Sequence, residues 1–202
     1  MIAIVDYHVG NLGSVTNACK RQGMDVVVTN DPEVIRQADG IILPGVGAFP
    51  AAMSNLEACH LVPVLNEVKD KGTPILGICI GMQLLFEEGS ENGHTKGLGF
   101  LKGSVDKMEV DAKLPHMGWN QLVIKQSHPL LKYAEEGDYV YFVHSYSAHC
   151  PEDEIGAYVN YGGKKITAFV YKDNVMGTQF HPEKSGEIGK KILRAFKELV
   201  IC

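Results

Sequence analysis

Hydrophobic and polar positions follow two rhythms in the first half of the chain. Short uninterrupted apolar runs over Ile2–Asp6, Asp25–Thr29, Gly40–Leu43 and Thr73–Ile78 recur between longer stretches of helical spacing. An apolar run with no polar interruption marks a strand covered on both faces, as in parallel sheets. The stretches between them read as helices: Asn11–Gln22 ending at Gly23, Pro32–Ala38 with Asp31 as N-cap, then Ala51–Leu56 and Val62–Lys71. Such alternation predicts an α/β fold, a doubly wound and mostly parallel sheet with flanking helices.

The rhythm changes after Glu88. A glycine-containing loop over Gly89–Gly99 leads into a stretch rich in β-branched and aromatic residues, with strands predicted at Tyr139–Val143, Ala157–Tyr161, Ile166–Tyr171 and Val175–Phe180. The turn pairs Gly162-Gly163 and Asp173-Asn174 separate them, so an antiparallel β section is expected in the second half. A helix from about Ser185 to Val200 closes the chain, with Ile188, Ile192, Phe196 and Leu199 on one face and Ser185 placed to cap it. With no repeat and no linker, residues 1–202 read as one domain around one core.

Composition narrows the function classes. Lys and Arg total 19 against 24 Asp and Glu, a net charge of −5, and no basic cluster occurs, so a nucleic-acid partner is not expected. The five cysteines are odd in number, scattered and free of any C-x-x-C pair, which favours a reducing compartment over disulfides or structural zinc. The residues Met1–Asp6 lack the basic start of a signal peptide, and the charge-free run Gly40–Leu56 contains two prolines and is too short to span a bilayer. A soluble cytoplasmic protein without membrane association is expected.

The chemistry concentrates at Gly77-Ile78-Cys79-Ile80-Gly81, where a buried strand turns directly into a predicted helix, Gly81–Glu87. This is the cysteine form of the nucleophile elbow: the turn has room only for glycine beside it, and it lifts the sulfur to a helix N-terminus that favours thiolate. A cysteine nucleophile needs a base, and Gln179-Phe180-His181-Pro182-Glu183 offers one. In an extended segment His181 and Glu183 point to the same side, so Glu183 can orient the ring that serves the sulfur. Acyl transfer also needs oxyanion donors. The backbone N–H of Ile80 is one, and the loop Pro44-Gly45-Val46-Gly47 after a parallel strand offers that of Val46, with Gly45 and Gly47 freeing its peptide to turn toward substrate. No phosphate-binding glycine motif and no metal-ligand spacing occurs, so neither cofactor nor metal is expected.

In this order and spacing, the cysteine elbow, the Pro-Gly-Val-Gly loop and the Phe-His-Pro-Glu segment resemble the class I, triad-type glutamine amidotransferases, which have a flavodoxin-like core. The blocks Leu114–Asn120, Tyr141–Tyr146, Lys172–Asn174 and Lys184–Gly186 are more narrowly similar to the glutaminase subunits of imidazole glycerol phosphate synthases. The resemblance implies that Cys79 attacks the glutamine carboxamide, that His181 moves the protons and that Glu183 orients His181. It further implies substrate contacts from Gln83, Glu91, Ser145 and Tyr146. It implies a partner as well, a (β/α)8-barrel cyclase that receives the ammonia in a heterodimer, with Asn11, Met117, Trp119 and Lys184 at the contact. With residues 1–202 all expected to belong to the glutaminase, no fused cyclase is expected. His8 stands where the family has glycine and Gly13 where it has a longer residue, both near the expected interface. Because an unpartnered glutaminase would waste glutamine, the oxyanion hole is expected to be incomplete in the isolated subunit. The competing readings are a glutaminase of another synthase, a stand-alone cysteine hydrolase and a non-catalytic binding module.

Overall fold

A computed structural model describes residues 1–201. Its first half runs β1 (Ile2–Val5), α1 (Leu12–Arg21), β2 (Val26–Thr29), α2 (Pro32–Gln37), β3 (Gly40–Leu43), α3 (Phe49–Ala58), α4 (Leu61–Asp70), β4 (Ile75–Ile78) and α5 (Ile80–Gln83). The second half adds β5 (Glu88–Gly89), β6 (Thr95–Lys96), β7 (Ser104–Lys107), β8 (His116–Gln121), β9 (Val123–Ile124), β10 (Tyr139–His144), β11 (Tyr146–His149), β12 (Ile155–Tyr161), β13 (Lys164–Lys172), β14 (Val175–Thr178) and α6 (Gly186–Ile201).

An eight-stranded sheet in the order β2-β1-β3-β4-β14-β13-β12-β9 organises the molecule. It is parallel from β2 through β14 and antiparallel beyond, so β14 joins the two halves. The apolar runs of β1, β3 and β4 are buried throughout, as expected, whereas β2 is an edge strand and only partly covered. Ala3, Val5, Ile41 and Leu43 pack under α3 and α4, while Ile2, Ile4, Ile42 and Ile78 pack on the other face against α1 and α6. The buried side chains therefore form two clusters separated by the sheet, where the sequence reading anticipated one core. Helix α4 covers its face with Leu61, Val64, Leu65 and Val68, the spacing of a single apolar stripe.

Two smaller sheets stand beside the large one: the ribbon β8–β10 and a four-stranded sheet, β11-β7-β5-β6. Strand β6 and the end of β5 lie inside the stretch Gly89–Gly99 read as a plain loop. The elbow helix is also shorter than Gly81–Glu87. The carbonyls of Leu84, Leu85 and Phe86 accept from the N–H groups of residues 98–101, so the returning chain takes the hydrogen bonds a longer helix would use. Trp119 sits on strand β8. Ser185 does not cap α6 with its hydroxyl, which donates to His181 O at 2.6 Å and accepts from Tyr141 N–H at 3.0 Å. Asp31 does cap α2, accepting from Glu33 N–H at 2.9 Å. No helix among the described residues is long and apolar enough to cross a membrane.

Candidate active site

Strands β3, β4 and β14 lie side by side and parallel, so the segments that follow them leave from one edge of the sheet. This carboxyl edge is where open α/β sheets hold ligands. After β4 there is no loop at all. Cys79 alone makes the turn into α5, at φ 53° and ψ −108°. A positive φ is costly for a residue with a Cβ and persists only where the surroundings over-determine it. Here they do. A Cβ on Gly81 would lie 1.7 Å from the carbonyl oxygen of Leu43, and one on Gly77 would lie 2.6 Å from that of Gly81. The Cys79 N–H donates to Thr178 O at 2.8 Å, which pins the elbow to β14.

His181 follows β14. Its Nδ1 meets Glu183 Oε1 at 2.7 Å, with both side chains fully buried. The pair forms by a different local geometry from the extended segment anticipated: His181 is extended, but Pro182–Lys184 is a 3-10 turn that folds Glu183 back to the ring. Asn11 Nδ2 donates to the same Glu183 oxygen. The other ring nitrogen, Nε2, is buried without a hydrogen-bond partner among the described residues. Burial works against a charged imidazole, but the Cys79 sulfur and the Glu183 carboxylate outweigh it and raise His181 to about 9. Cys79, His181 and Glu183 are thus electrostatically coupled.

A cavity of about 300 Å³ opens at the sulfur. Val46 and Gly47, Ile80 and Gln83, Glu91, and the Ser145–Tyr146 segment all line it, together with Pro115, Val143 and His144. Gly45 does not: a Cβ there would stand 2.7 Å from the Tyr7 hydroxyl, which itself donates to Pro44 O at 2.5 Å. The Pro-Gly-Val-Gly loop is therefore clamped at its start, whereas Gly47, at φ 117°, faces open space. Glu91 Oε2 accepts from Phe49 N–H at the start of α3, at 2.8 Å. Gln83 lies one turn beyond Cys79 and is only 2 % exposed. A larger cavity, about 680 Å³ between β7–β11 and β12–β13, contains none of these residues.

Geometry of this kind is compatible with several cysteine hydrolases, and comparison with known proteins decides between them. Residues 3–199 match the family model described as glutamine amidotransferase class-I. The chain belongs to the class-I glutamine amidotransferases. Among its relatives, the imidazole glycerol phosphate synthase subunit HisH of Lactococcus lactis subsp. lactis (strain IL1403) is 55% identical over 197 residues, 98% of each chain. The HisH subunit of Bacillus cereus (strain G9842) is 54% identical over 200 residues, 99% of this chain and 95% of that one. Solved structures share the fold at low identity. One described as a glutamine amidotransferase has a TM-score of 0.78 at 18% identity over the whole of both chains. A chain of PurLQS from Thermotoga maritima has a TM-score of 0.74 at 20% identity, covering 98% of this chain and 97% of that one.

In this amidotransferase the four candidate partner residues lie in two places. Met117 and Trp119 project from β8 into solvent, 61% and 54% exposed. Lys184 Nζ lies 6.0 Å above the ring of Tyr141, which packs edge-on against Trp119 at 6.0 Å. Asn11, by contrast, is engaged with Glu183. His8 has φ 61°, so it bears the left-handed conformation that a glycine would adopt freely. Sequence reasoning missed Gln179, which donates to Cys79 Sγ at 3.7 Å and accepts from Gln83 Nε2 at 2.9 Å. The signal was there: Gln179 stands two residues before His181, on the same side of an extended segment. It also passed over His116 and His144, whose partners lie far away in sequence.

Proposed function

We propose that this amidotransferase is the glutaminase subunit of an imidazole glycerol phosphate synthase, acting in histidine biosynthesis. It hydrolyses glutamine and passes the ammonia to a cyclase subunit. The observation that carries the chemistry is the elbow itself: a strained Cys79 coupled to a buried His181 whose Nδ1 is held by Glu183. The assignment to this synthase, rather than another, is supported by 54–55% identity to HisH subunits along nearly the whole chain.

The steps follow from the positions. Cys79 Sγ, its proton already held on His181 Nε2, the nitrogen left open by Glu183, bonds to the carboxamide carbon. Negative charge develops on the amide oxygen and is met by the N–H of Ile80, which opens α5 and has no intrahelical acceptor. The Val46 N–H is the second donor. The C–N bond then breaks as Nε2 returns its proton to the departing nitrogen, giving ammonia and a γ-glutamyl thioester. Water, deprotonated by the same Nε2, attacks the thioester carbon, the C–S bond breaks and glutamate leaves. Gln83 holds the substrate, Glu91 meets its amino group, and Ser145–Tyr146 holds its carboxylate. No metal or organic cofactor takes part in this scheme.

The partner is a (β/α)8-barrel cyclase forming a heterodimer, docked on the outer face of the β8–β10 ribbon. Met117, Trp119 and Tyr139 form an exposed apolar patch there, and Val143 and Pro115 continue the same ribbon into the cavity wall. Tyr141 ties this face to the triad, since its carbonyl accepts from His181 N–H at 3.0 Å. A cytoplasmic setting accords with the four cysteines among the described residues, Cys19, Cys59, Cys79 and Cys150, all being free.

Ammonia release from glutamine, measured for the chain alone and with a cyclase subunit plus its nucleotide ligand, tests this reading. Cys79→Ala is expected to abolish release in both states. Activation by the partner of roughly 10²-fold or more is expected if the Val46 donor is completed only in the complex. High turnover by the free chain, unchanged by partner and nucleotide, would reject that gating.

A further inference from the structure

A continuous line of hydrogen bonds runs from the exposed ribbon to the nucleophile. It begins on β8, where Asn120 Nδ2 reaches His116 Nε2 at 3.3 Å. His116 Nδ1 meets His144 Nε2 at 3.0 Å, and His144 Nδ1 meets the carbonyl of Tyr146 at 2.8 Å. The same carbonyl accepts from Gln83 Nε2 at 3.2 Å. Gln83 Nε2 also donates to Gln179 Oε1 at 2.9 Å, and Gln179 Nε2 donates to Cys79 Sγ at 3.7 Å.

The protons in this line have one arrangement. A carbonyl only accepts, so His144 carries its proton on Nδ1. Its Nε2 is then an acceptor, which requires His116 to donate from Nδ1 and to accept at Nε2 from Asn120. Asn120 is oriented independently: its Oδ1 accepts from Gln121 N–H at 2.8 Å and its Nδ2 also donates to Asn160 O at 3.0 Å. Burial lowers both histidines to about 4, so the pair stays neutral around pH 7. Rings hold it in place, with His116 stacked between Phe142 at 4.8 Å and Tyr161 at 4.0 Å.

Neither histidine hydrogen-bonds to Glu183 or the sulfur, although His144 lines the cavity, and the hydrolysis scheme uses neither. Their effect falls on Gln83. With both amide hydrogens spent on Tyr146 O and Gln179, Gln83 presents Oε1 as its free group to the cavity it lines. We propose that His116 and His144 are positioning residues for glutamine binding: they hold the Tyr146 carbonyl, and through it fix the Gln83 amide so that Oε1 accepts from the substrate's nitrogen. The proposal rests on the reading that Gln83 lies against the substrate.

The test measures KM for glutamine, kcat and melting temperature in the complex with the cyclase subunit and its nucleotide. His144→Leu removes both hydrogen bonds and is expected to raise KM about fivefold to tenfold, the loss of one net hydrogen bond, with kcat nearly unchanged. His144→Asn places an amide N–H where Nδ1 stood and is expected to restore most of that loss. An unchanged KM in folded His144→Leu, or His144→Asn as impaired as His144→Leu, would overturn the proposal. If His144→Leu does not fold, His116→Phe decides, because it keeps the ring stack and deletes the donor: a raised KM supports the proposal and an unchanged one overturns it. Nitrogen-15 NMR gives a second check, since both rings must be neutral with Nδ1 protonated. Gln83→Glu separates the two ideas. If it leaves KM unchanged, the substrate role of Gln83 fails; if it raises KM while the histidine variants do not, the positioning line alone fails.

Discussion

In the proposed mechanism Cys79 and His181 divide the work of one reaction, and their surroundings act on them in opposite ways. The cysteine is held by backbone strain, the histidine by charge. His181 would lose its proton on burial were it alone, yet the sulfur and Glu183 hold it up to about 9, above its ordinary 6.5. A base raised in the folded state stabilises the fold fully below about pH 6.5, and that contribution fades as pH rises through about 9. The melting temperature of the wild type should therefore exceed that of His181→Gln by most at pH 6, with the gap closing by pH 10. Glu183→Gln keeps the shape but favours the wrong tautomer, and kcat is expected to fall by about 10²–10⁴ with little change in KM. Equal pH dependence in the two proteins, or full activity in the Gln variant, would contradict this account of the triad.

The elbow joins β4 and α5 with a single residue, and what makes that possible is the absence of atoms beside it. Gly81→Ala would push a methyl group to 1.7 Å from Leu43 O, a backbone atom that cannot move without displacing β3. The expected cost is about 3 kcal/mol or more, read as a melting temperature lowered by roughly 6–12 °C. A variant melting within 1–2 °C of wild type would mean that β3 and the elbow are less tightly apposed. The elements on the parallel side could be read from the sequence because their cause is local: each strand is short, apolar throughout and followed by a helix with one apolar stripe. The shortening of α5 could not, because residues 98–101 return to take its carbonyls. The approach of Glu183 to His181 was legible as a pairing but not as a turn, since the spacing of two residues fits both an extended and a 3-10 geometry. His116 and His144 were illegible for a further reason: their meeting depends on the register that pairs His144 with His116 across β10 and β8, 28 residues apart.

Seen as a whole, the molecule puts its most apolar exposed surface next to its chemistry. Trp119 is large, half out of water and packed edge-on against Tyr141, the features of an interface anchor. Trp119→Ala is expected to weaken binding of the cyclase subunit by about 30-fold or more, corresponding to at least 2 kcal/mol, while leaving the melting temperature of the free subunit nearly unchanged. Titration calorimetry with both proteins checks it, and unaltered affinity would move the contact off this ribbon. The sheet order has a consequence for synthesis as well. The nucleophile strand β4 finishes at Ile78, but its neighbour β14 begins only at Val175. A nascent chain on the ribosome thus carries β4 as a bare apolar edge through about half of its translation, a hazard for sticking to other chains. In the proposed mechanism the same delay is a safeguard: until His181 and Glu183 have emerged there is no base, and the half-made enzyme releases no ammonia.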